Sequence, residues 1–217
     1  MRRLGQPQVL VTAAIAALVS ALLCAPRLLL WQTRALPVWY LEAVLFFGGI
    51  VLWAFVFAWH AEYTNRPVVT LKIDPTLFAL TTLAGMIAVI GLHLFLDPSL
   101  RITTPEDYPA SLQQWIAMTL FNLAFSELFL VFAPFAWLVR LFRNQSVAAV
   151  LTVFFGVVVL LLRNRSAPVP GPLFAALLLF RITGGFLSVF FYLRGGVLLA
   201  WWWCFLIEAR HLISLQQ

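Results

Sequence analysis

Charged residues are scarce in this chain of 217 residues: they form 10% of it, against about 25% of an ordinary soluble domain. Apolar residues instead reach 63%. A soluble fold of this length cannot bury nearly two thirds of its residues, because the folded surface grows nearly as fast as the chain. The composition therefore excludes a soluble globular protein and predicts a membrane protein whose excess apolar surface is solvated by lipid.

Cysteine and histidine are also rare, with two and three residues respectively. Cys24 and Cys204 lie in apolar runs without a CxxC spacing, which excludes a disulfide framework and a cysteine-based zinc site. The histidines are far apart in sequence, and no HExxH motif exists. We therefore expect neither a metal ion nor another cofactor.

Basic residues exceed acidic ones and give a net charge of +6. They are scattered among hydrophobic runs and form no basic stripe or block, so we expect no binding to nucleic acid. Between the apolar runs, seven basic residues fall on the side of the N-terminus and six on the other. This difference favours a cytoplasmic N-terminus by the positive-inside rule.

Apolar runs of about 20 residues, the length needed for a helix to cross the hydrocarbon layer, follow one another with short connections. Backbone groups in lipid must be paired internally, which favours helices over an open sheet. We predict an all-α polytopic protein in which residues 1–217 form a single transmembrane domain of about seven spans. The predicted spans are Val9–Leu30, Val38–Trp59, Thr76–Asp97, Gln114–Leu138, Ser146–Leu162, Pro172–Leu193 and Gly196–Ser214.

Five ionisable residues fall inside these spans, where a charge costs at least about 2.5 kcal/mol on insertion scales. They are Glu42, His93, Glu127, Arg181 and Glu208. An arginine cannot release its proton, so Arg181 requires an acceptor. We predict an intramembrane ion pair between Arg181 and Glu127, with Glu208 or a lipid headgroup as the alternative acceptor.

Several short motifs follow one another in the second half of the chain. Ser126-Glu127-Leu128-Phe129 is followed by Phe155-Gly156-Val157-Val158-Val159. A stretch from Gly185 to Val197 then combines an apolar helix with a short turn containing Arg194-Gly195-Gly196, and Cys204-Phe205-Leu206-Ile207-Glu208 comes last. This order resembles the CAAX protease and bacteriocin-processing family of intramembrane proteases, also called the CAAX self-immunity family, over roughly residues 121–215.

The resemblance implies a helical fold whose motif residues Ser126, Glu127, Val159, Cys204 and Glu208 converge on one intramembrane cavity. Members of that family use a glutamate and two histidines to activate water for peptide hydrolysis. Here only the second glutamate of the first motif is kept, as Glu127. Val159 and Cys204 stand where the histidines belong, and valine can supply neither a base nor a hydrogen-bond donor.

The resemblance therefore predicts a subunit without catalytic activity in a bacterial inner membrane. Its former active-site cavity would bind a membrane protein partner, a transmembrane peptide or a lipid. One alternative is a divergent intramembrane peptidase that uses Glu127 and Glu208 with His93 or His211. The other is a small transporter or channel component with Glu127 and Arg181 in its pathway.

Overall fold

The computed structural model describes residues 6–30, 36–64, 67–70 and 72–215, apart from the side chain of Ser214. Six helices in this part of the chain are long and apolar enough to cross a membrane. They are α1 (Pro7–Leu30), α2 (Val38–Tyr63), α3 (Pro75–Thr103), α4 (Leu112–Phe142), α5 (Gln145–Ser166) and α6 (Gly171–Leu215). The protein is an all-α polytopic membrane protein, as its composition predicts.

The number of helices is six rather than the expected seven, and the difference lies in α6. The sixth and seventh predicted spans form this single element, which is interrupted at Gly196 by a positive φ of 74°. The chain reverses there, since the Phe191 and Trp203 rings, twelve positions apart in sequence, have centroids 5.5 Å apart. We call the segments before and after Gly196 the first and second arms of α6.

Local signals in the sequence determine where several helices begin. Asp74 caps α3 by accepting from the Thr76 backbone N–H, and Ser111 caps α4 in the same way through Gln114. Asn144 caps α5 by accepting from two backbone N–H groups. Such side chains satisfy donors that would otherwise be unpaired at a helix start. Arg143, just before this cap, adopts the left-handed conformation that ends α4.

The core consists mainly of aromatic and small residues. Tyr192 of the first arm of α6 packs against Trp59 of α2 and Phe132 of α4, with ring centroids 5.5 and 4.7 Å away. Small residues such as Ala13 and Ala17 let α1 approach α2 closely. The Trp53 indole N–H also donates to the Ser20 hydroxyl across this interface, at 3.0 Å.

The two ends of the bundle are held by different polar contacts. At one end, Arg140 of α4 pairs with Glu62 of α2, and the Val197 backbone N–H reaches the Val68 carbonyl. At the opposite end, Arg163 of α5 pairs with Asp107 in the connection between α3 and α4. We call these the Arg140 end and the Asp107 end. The polar cavity described next lies between them.

Candidate functional site

A polar cavity of about 350 Å³ lies among α4, α5 and the two arms of α6. Its volume is at the lower end of the range for small-molecule sites. The side chains with polar or ionisable groups that line it are Asn122, Ser126, Glu127, Arg163, Arg181, Ser188, Cys204, Glu208 and Arg210. We call this space the inner cavity.

The helix that carries Glu127 is irregular on both sides of this residue. The segments Asn122–Ser126 and Leu128–Phe132 are π-helical turns, and Glu127 lies between them. A π-turn adds a residue to the helical repeat and redirects the side chains around it, and such turns are frequent at functional sites. Here they accompany a run in which Asn122, Ser126 and Glu127 all reach the same cavity.

The Glu127 carboxylate has few partners for a buried acidic group. Ser188 and Cys204, from the two arms of α6, are its hydrogen-bonding neighbours. Its Oε2 atom is buried without a hydrogen-bond partner. A carboxylate oxygen accepts hydrogen bonds strongly, so this atom offers a binding position for a donor or a cation.

Arg181 reaches the cavity from the first arm of α6 and lies against Gly156 of α5. A Cβ atom on Gly156 would lie 2.7 Å from the Arg181 Nε, so the guanidinium occupies the space that the glycine leaves free. Among the described residues, this group has no hydrogen-bond partner and no ion-pair partner within 4.0 Å. Glu127 interacts with it electrostatically but from a greater distance.

Glu208 is the second carboxylate of the cavity and is held by its neighbours. Asn122 donates to its Oε1 atom at 2.9 Å, and the Ser126 hydroxyl donates to Asn122, also at 2.9 Å. The Trp115 indole N–H donates to the Glu208 backbone carbonyl. The Oε2 atom faces His211 Nε2 at 4.0 Å. Through Asn122, Glu208 belongs to a connected side-chain network, although its Oε2 atom, like that of Glu127, is buried without a hydrogen-bond partner.

No protein-family model matches the sequence, and no curated protein or solved structure matches it. The family resemblance therefore remains an expectation from the motifs alone. Four of its five positions, Ser126, Glu127, Cys204 and Glu208, line the inner cavity. Val159 does not: it is half-buried on α5, one turn beyond Gly156.

The predicted ion pair between Glu127 and Arg181 stays a prediction. Both residues line the inner cavity, but their charged atoms do not make a direct contact within 4.0 Å.

The other ionisable residues predicted inside the spans, apart from Glu208, lie elsewhere: Glu42 is half-buried on α2, and the His93 Nδ1 atom lies 3.8 Å from Asp97 Oδ2. The described His, Cys, Asp and Glu side chains form no group of three that could hold a metal ion.

A second, smaller cavity of about 180 Å³ lies toward the Asp107 end and shares Arg163 and Arg210 with the inner one. We call it the outer cavity. Each shared arginine is held by an aspartate, Arg163 by Asp107 and Arg210 by Asp97, the latter at 3.2 Å. Two ion pairs therefore stand where the two cavities meet.

Tyr108, in the connection between α3 and α4, supports the second of these pairs. Its hydroxyl donates to Asp97 Oδ1 at 2.7 Å. Burial, together with this hydrogen bond, raises the pKa of Tyr108 above its usual range. The phenol therefore remains a neutral donor at physiological pH.

Sequence reasoning missed Asn122, Asp97 and Tyr108 as members of the polar network. Asn122 precedes Ser126 by four positions and so lies on the same helix face, a spacing that could have identified it. The predicted span Thr76–Asp97 ends at Asp97, and Tyr108 lies between two predicted spans. The contact of Asp97 with Arg210 could not be read from the sequence, because the two residues are 113 positions apart.

Proposed function

We propose that this protein is a membrane-embedded binding subunit without catalytic activity, and that the inner cavity holds the polar group of a membrane ligand or partner. The observation that carries this proposal is that Arg181 and Glu127 both line the inner cavity without a direct contact between them. Two groups of opposite charge face one cavity inside the spanning helices without contacting each other. A charge held inside a spanning segment without a direct partner is costly, and a ligand with complementary groups would offset that cost.

The residues around Glu127 support binding better than hydrolysis. A water-activating carboxylate works with a second group that orients the water and with donors for the developing oxyanion. The hydrogen-bonding neighbours of Glu127 are a serine hydroxyl and a cysteine thiol, and neither is a base that could share in activating water. The described residues that line the inner cavity include no histidine.

The experiment is purification of the full chain in mild detergent, followed by identification of what remains bound and by a peptide-hydrolysis assay. We expect a stoichiometric lipid or protein component and no hydrolysis that depends on Glu127. The Arg181→Gln variant should lose the bound component, whereas Glu42→Gln, which changes an ionisable side chain elsewhere in the spans, should keep it. Hydrolysis that is abolished by Glu127→Gln in folded protein would refute the proposal.

A divergent intramembrane peptidase is the second candidate, favoured by one observation. Glu208 lies on the same cavity as Glu127 and has His211 4.0 Å from its Oε2 atom. A carboxylate with a neighbouring imidazole can act as an acid–base pair. The same assay decides between the two functions, because the peptidase requires loss of hydrolysis in both Glu127→Gln and Glu208→Gln.

A further inference from the structure

We infer that the ligand of the inner cavity is a zwitterionic lipid with a primary ammonium group, of the phosphatidylethanolamine type. This inference rests on the proposed binding function and specifies its ligand. It combines three features: the charges of the inner cavity, an apolar groove beside it, and the outer cavity toward the Asp107 end.

The charges of the inner cavity match a headgroup that carries both signs. The Arg181 guanidinium presents several donors, which suit a phosphate in a bidentate arrangement. Two carboxylate oxygens of the cavity, Glu127 Oε2 and Glu208 Oε2, are buried without a hydrogen-bond partner. Glu127 is the carboxylate that interacts with Arg181, so its oxygen suits an ammonium group whose phosphate lies on Arg181. A purely anionic headgroup would satisfy Arg181 but would place its charge near the Glu127 carboxylate, which is unfavourable.

An apolar groove of about 530 Å³ adjoins the inner cavity between α3 and the first arm of α6. The two spaces share Phe180, Gly184 and Trp203 as lining residues. Beyond them the groove is lined almost entirely by apolar side chains such as Ile87, Phe95 and Leu179, which are all exposed on the surface of the bundle. A molecule with its polar group on Arg181 can therefore extend an apolar tail toward the surrounding lipid.

Gly184 lines both spaces, so it lies at their junction. A Cβ atom on Gly184 would meet only the Phe180 ring, at 3.9 Å, so the position has room for a side chain. The absence of a side chain at this position thus leaves the junction open. A leucine at position 184 should fill the junction without disturbing the helix.

The outer cavity provides an approach for the headgroup from the Asp107 end, because Asp107, Asn164 and His211 line it among apolar side chains. It meets the inner cavity at Arg163 and Arg210. A headgroup phosphate could replace the aspartate partners of these arginines during entry. The ligand would then lie with its headgroup in the polar space and its tails in the groove, which avoids moving the charge through hydrocarbon.

The test measures the binding of defined lipids to the purified full chain by native mass spectrometry after delipidation. The probes are dioleoyl phosphatidylethanolamine, phosphatidylcholine and phosphatidylglycerol at equal concentration. We expect the ethanolamine lipid to bind about tenfold more tightly than the other two, which corresponds to about 1.4 kcal/mol. The choline headgroup lacks ammonium N–H donors for Glu127, and the glycerol headgroup lacks the positive charge.

Variants connect this preference to the named residues. Glu127→Gln should reduce ethanolamine-lipid binding to the level of the choline lipid, and Arg181→Gln should weaken all three lipids. Arg181→Lys keeps the charge and should retain part of the binding, which separates loss of the site from misfolding. Gly184→Leu should weaken binding. Val158→Leu should not, because Val158 lines a different apolar pocket, between α4 and α5.

Equal binding of the three lipids by the wild-type chain would overturn the inference, as would unchanged selectivity in Glu127→Gln. A stoichiometric protein or peptide that occupies the site in the absence of lipid would also overturn it, but would leave the proposed binding function intact. Glu127-dependent hydrolysis would instead remove the proposed function itself. The two failures are therefore distinguishable.

Discussion

Arg181 reaches the inner cavity because position 156 has no side chain. The guanidinium is the flexible end of a long side chain, so a methyl group at position 156 should displace it rather than force the helices apart. We expect Gly156→Ala to change the thermal unfolding temperature little but to weaken the binding of lipid headgroups about as strongly as Arg181→Gln does.

The control for this prediction is the double variant Gly156→Ala with Arg181→Gln. If the alanine acts only by displacing Arg181, the double variant should bind lipid no more weakly than Arg181→Gln alone. Additive losses would contradict the mechanism, since they would show that Gly156 affects the site by another route.

Asn122 connects Ser126 to Glu208, and its removal should affect both. Asn122→Leu leaves the Glu208 Oε1 atom without its donor and the Ser126 hydroxyl without its acceptor. Each buried group left unpaired costs about 1–3 kcal/mol. We expect lower stability by roughly that amount, measured by thermal unfolding in detergent.

A double-mutant cycle assigns that loss to the contact with Glu208. Glu208→Leu combined with Asn122→Leu should be less destabilising than the sum of the single variants, because the second substitution removes a group that already lacks its partner. Strictly additive effects would mean that the hydrogen bond contributes no stability.

At the scale of elements, hydrophobicity predicts where each span lies in the sequence, but it does not predict the residue at which each helix ends. The expected span Thr76–Asp97 continues as helix to Thr103, past Pro98, because Pro98 lies at the start of a new helical segment after the π-turn Leu92–Leu96. A proline is tolerated at the first positions of a helix, where its missing N–H is not needed. Polar residues therefore extend α3 beyond its apolar run.

Other parts of the helical structure lie beyond what an apolar pattern can predict. The π-turns on both sides of Glu127 involve the run from Asn122 to Phe132, which is apolar in most positions and typical of an ordinary α-helix. The sequence indicated which residues of the site are out of place in lipid, but not how α4 presents them.

Gly196 is the position at which α6 reverses, and its conformation requires glycine. Its φ of 74° is strained for other residues, and an added Cβ atom would also approach the Val68 carbonyl to 3.3 Å. We expect Gly196→Ala to destabilise the protein by about 1–2 kcal/mol, with loss of the contact between the two arms of α6.

Gly91→Ala is the matched control for this substitution. Gly91 has helical backbone angles, and nothing lies within 4 Å of an added Cβ atom there. Alanine is favoured over glycine in a helix by up to about 1 kcal/mol, so this variant should be as stable as the wild type or slightly more so. Equal effects of the two variants on thermal unfolding would contradict a special role for Gly196.

At the scale of the whole molecule, the polar groups form a path from the Asp107 end to the centre of the bundle. The outer cavity, two aspartate–arginine pairs and the inner cavity follow one another along it. The Arg140 end is held by its own ion pair, Arg140 with Glu62. That pair lines neither cavity, whereas Arg163 lines both and Asp107 lines the outer one. This difference between the two ends predicts that hydrophilic molecules reach the inner cavity from the Asp107 end.

The chain carries a natural reporter for this access. Cys204 lines the inner cavity, and the only other cysteine, Cys24, is fully buried in α1. In a Cys24→Ala background, a charged thiol reagent that cannot cross the membrane should modify Cys204 slowly. Asp107→Asn removes the partner of Arg163 and should increase that rate several-fold, as measured by mass spectrometry of the modified protein.

Glu62→Gln provides the control, because it breaks the comparable pair at the Arg140 end and should leave the rate unchanged. Ser126→Cys, in a background without native cysteines, gives a second reporter on the same cavity if Cys204 reacts too slowly to measure. With the expected cytoplasmic N-terminus, the Asp107 end faces the extracytoplasmic side, so reagent added there should react faster. Acceleration by Glu62→Gln, or none by Asp107→Asn with either reporter, would contradict access from the Asp107 end, because the ion pair between Arg163 and Asp107 then would not limit entry to the inner cavity.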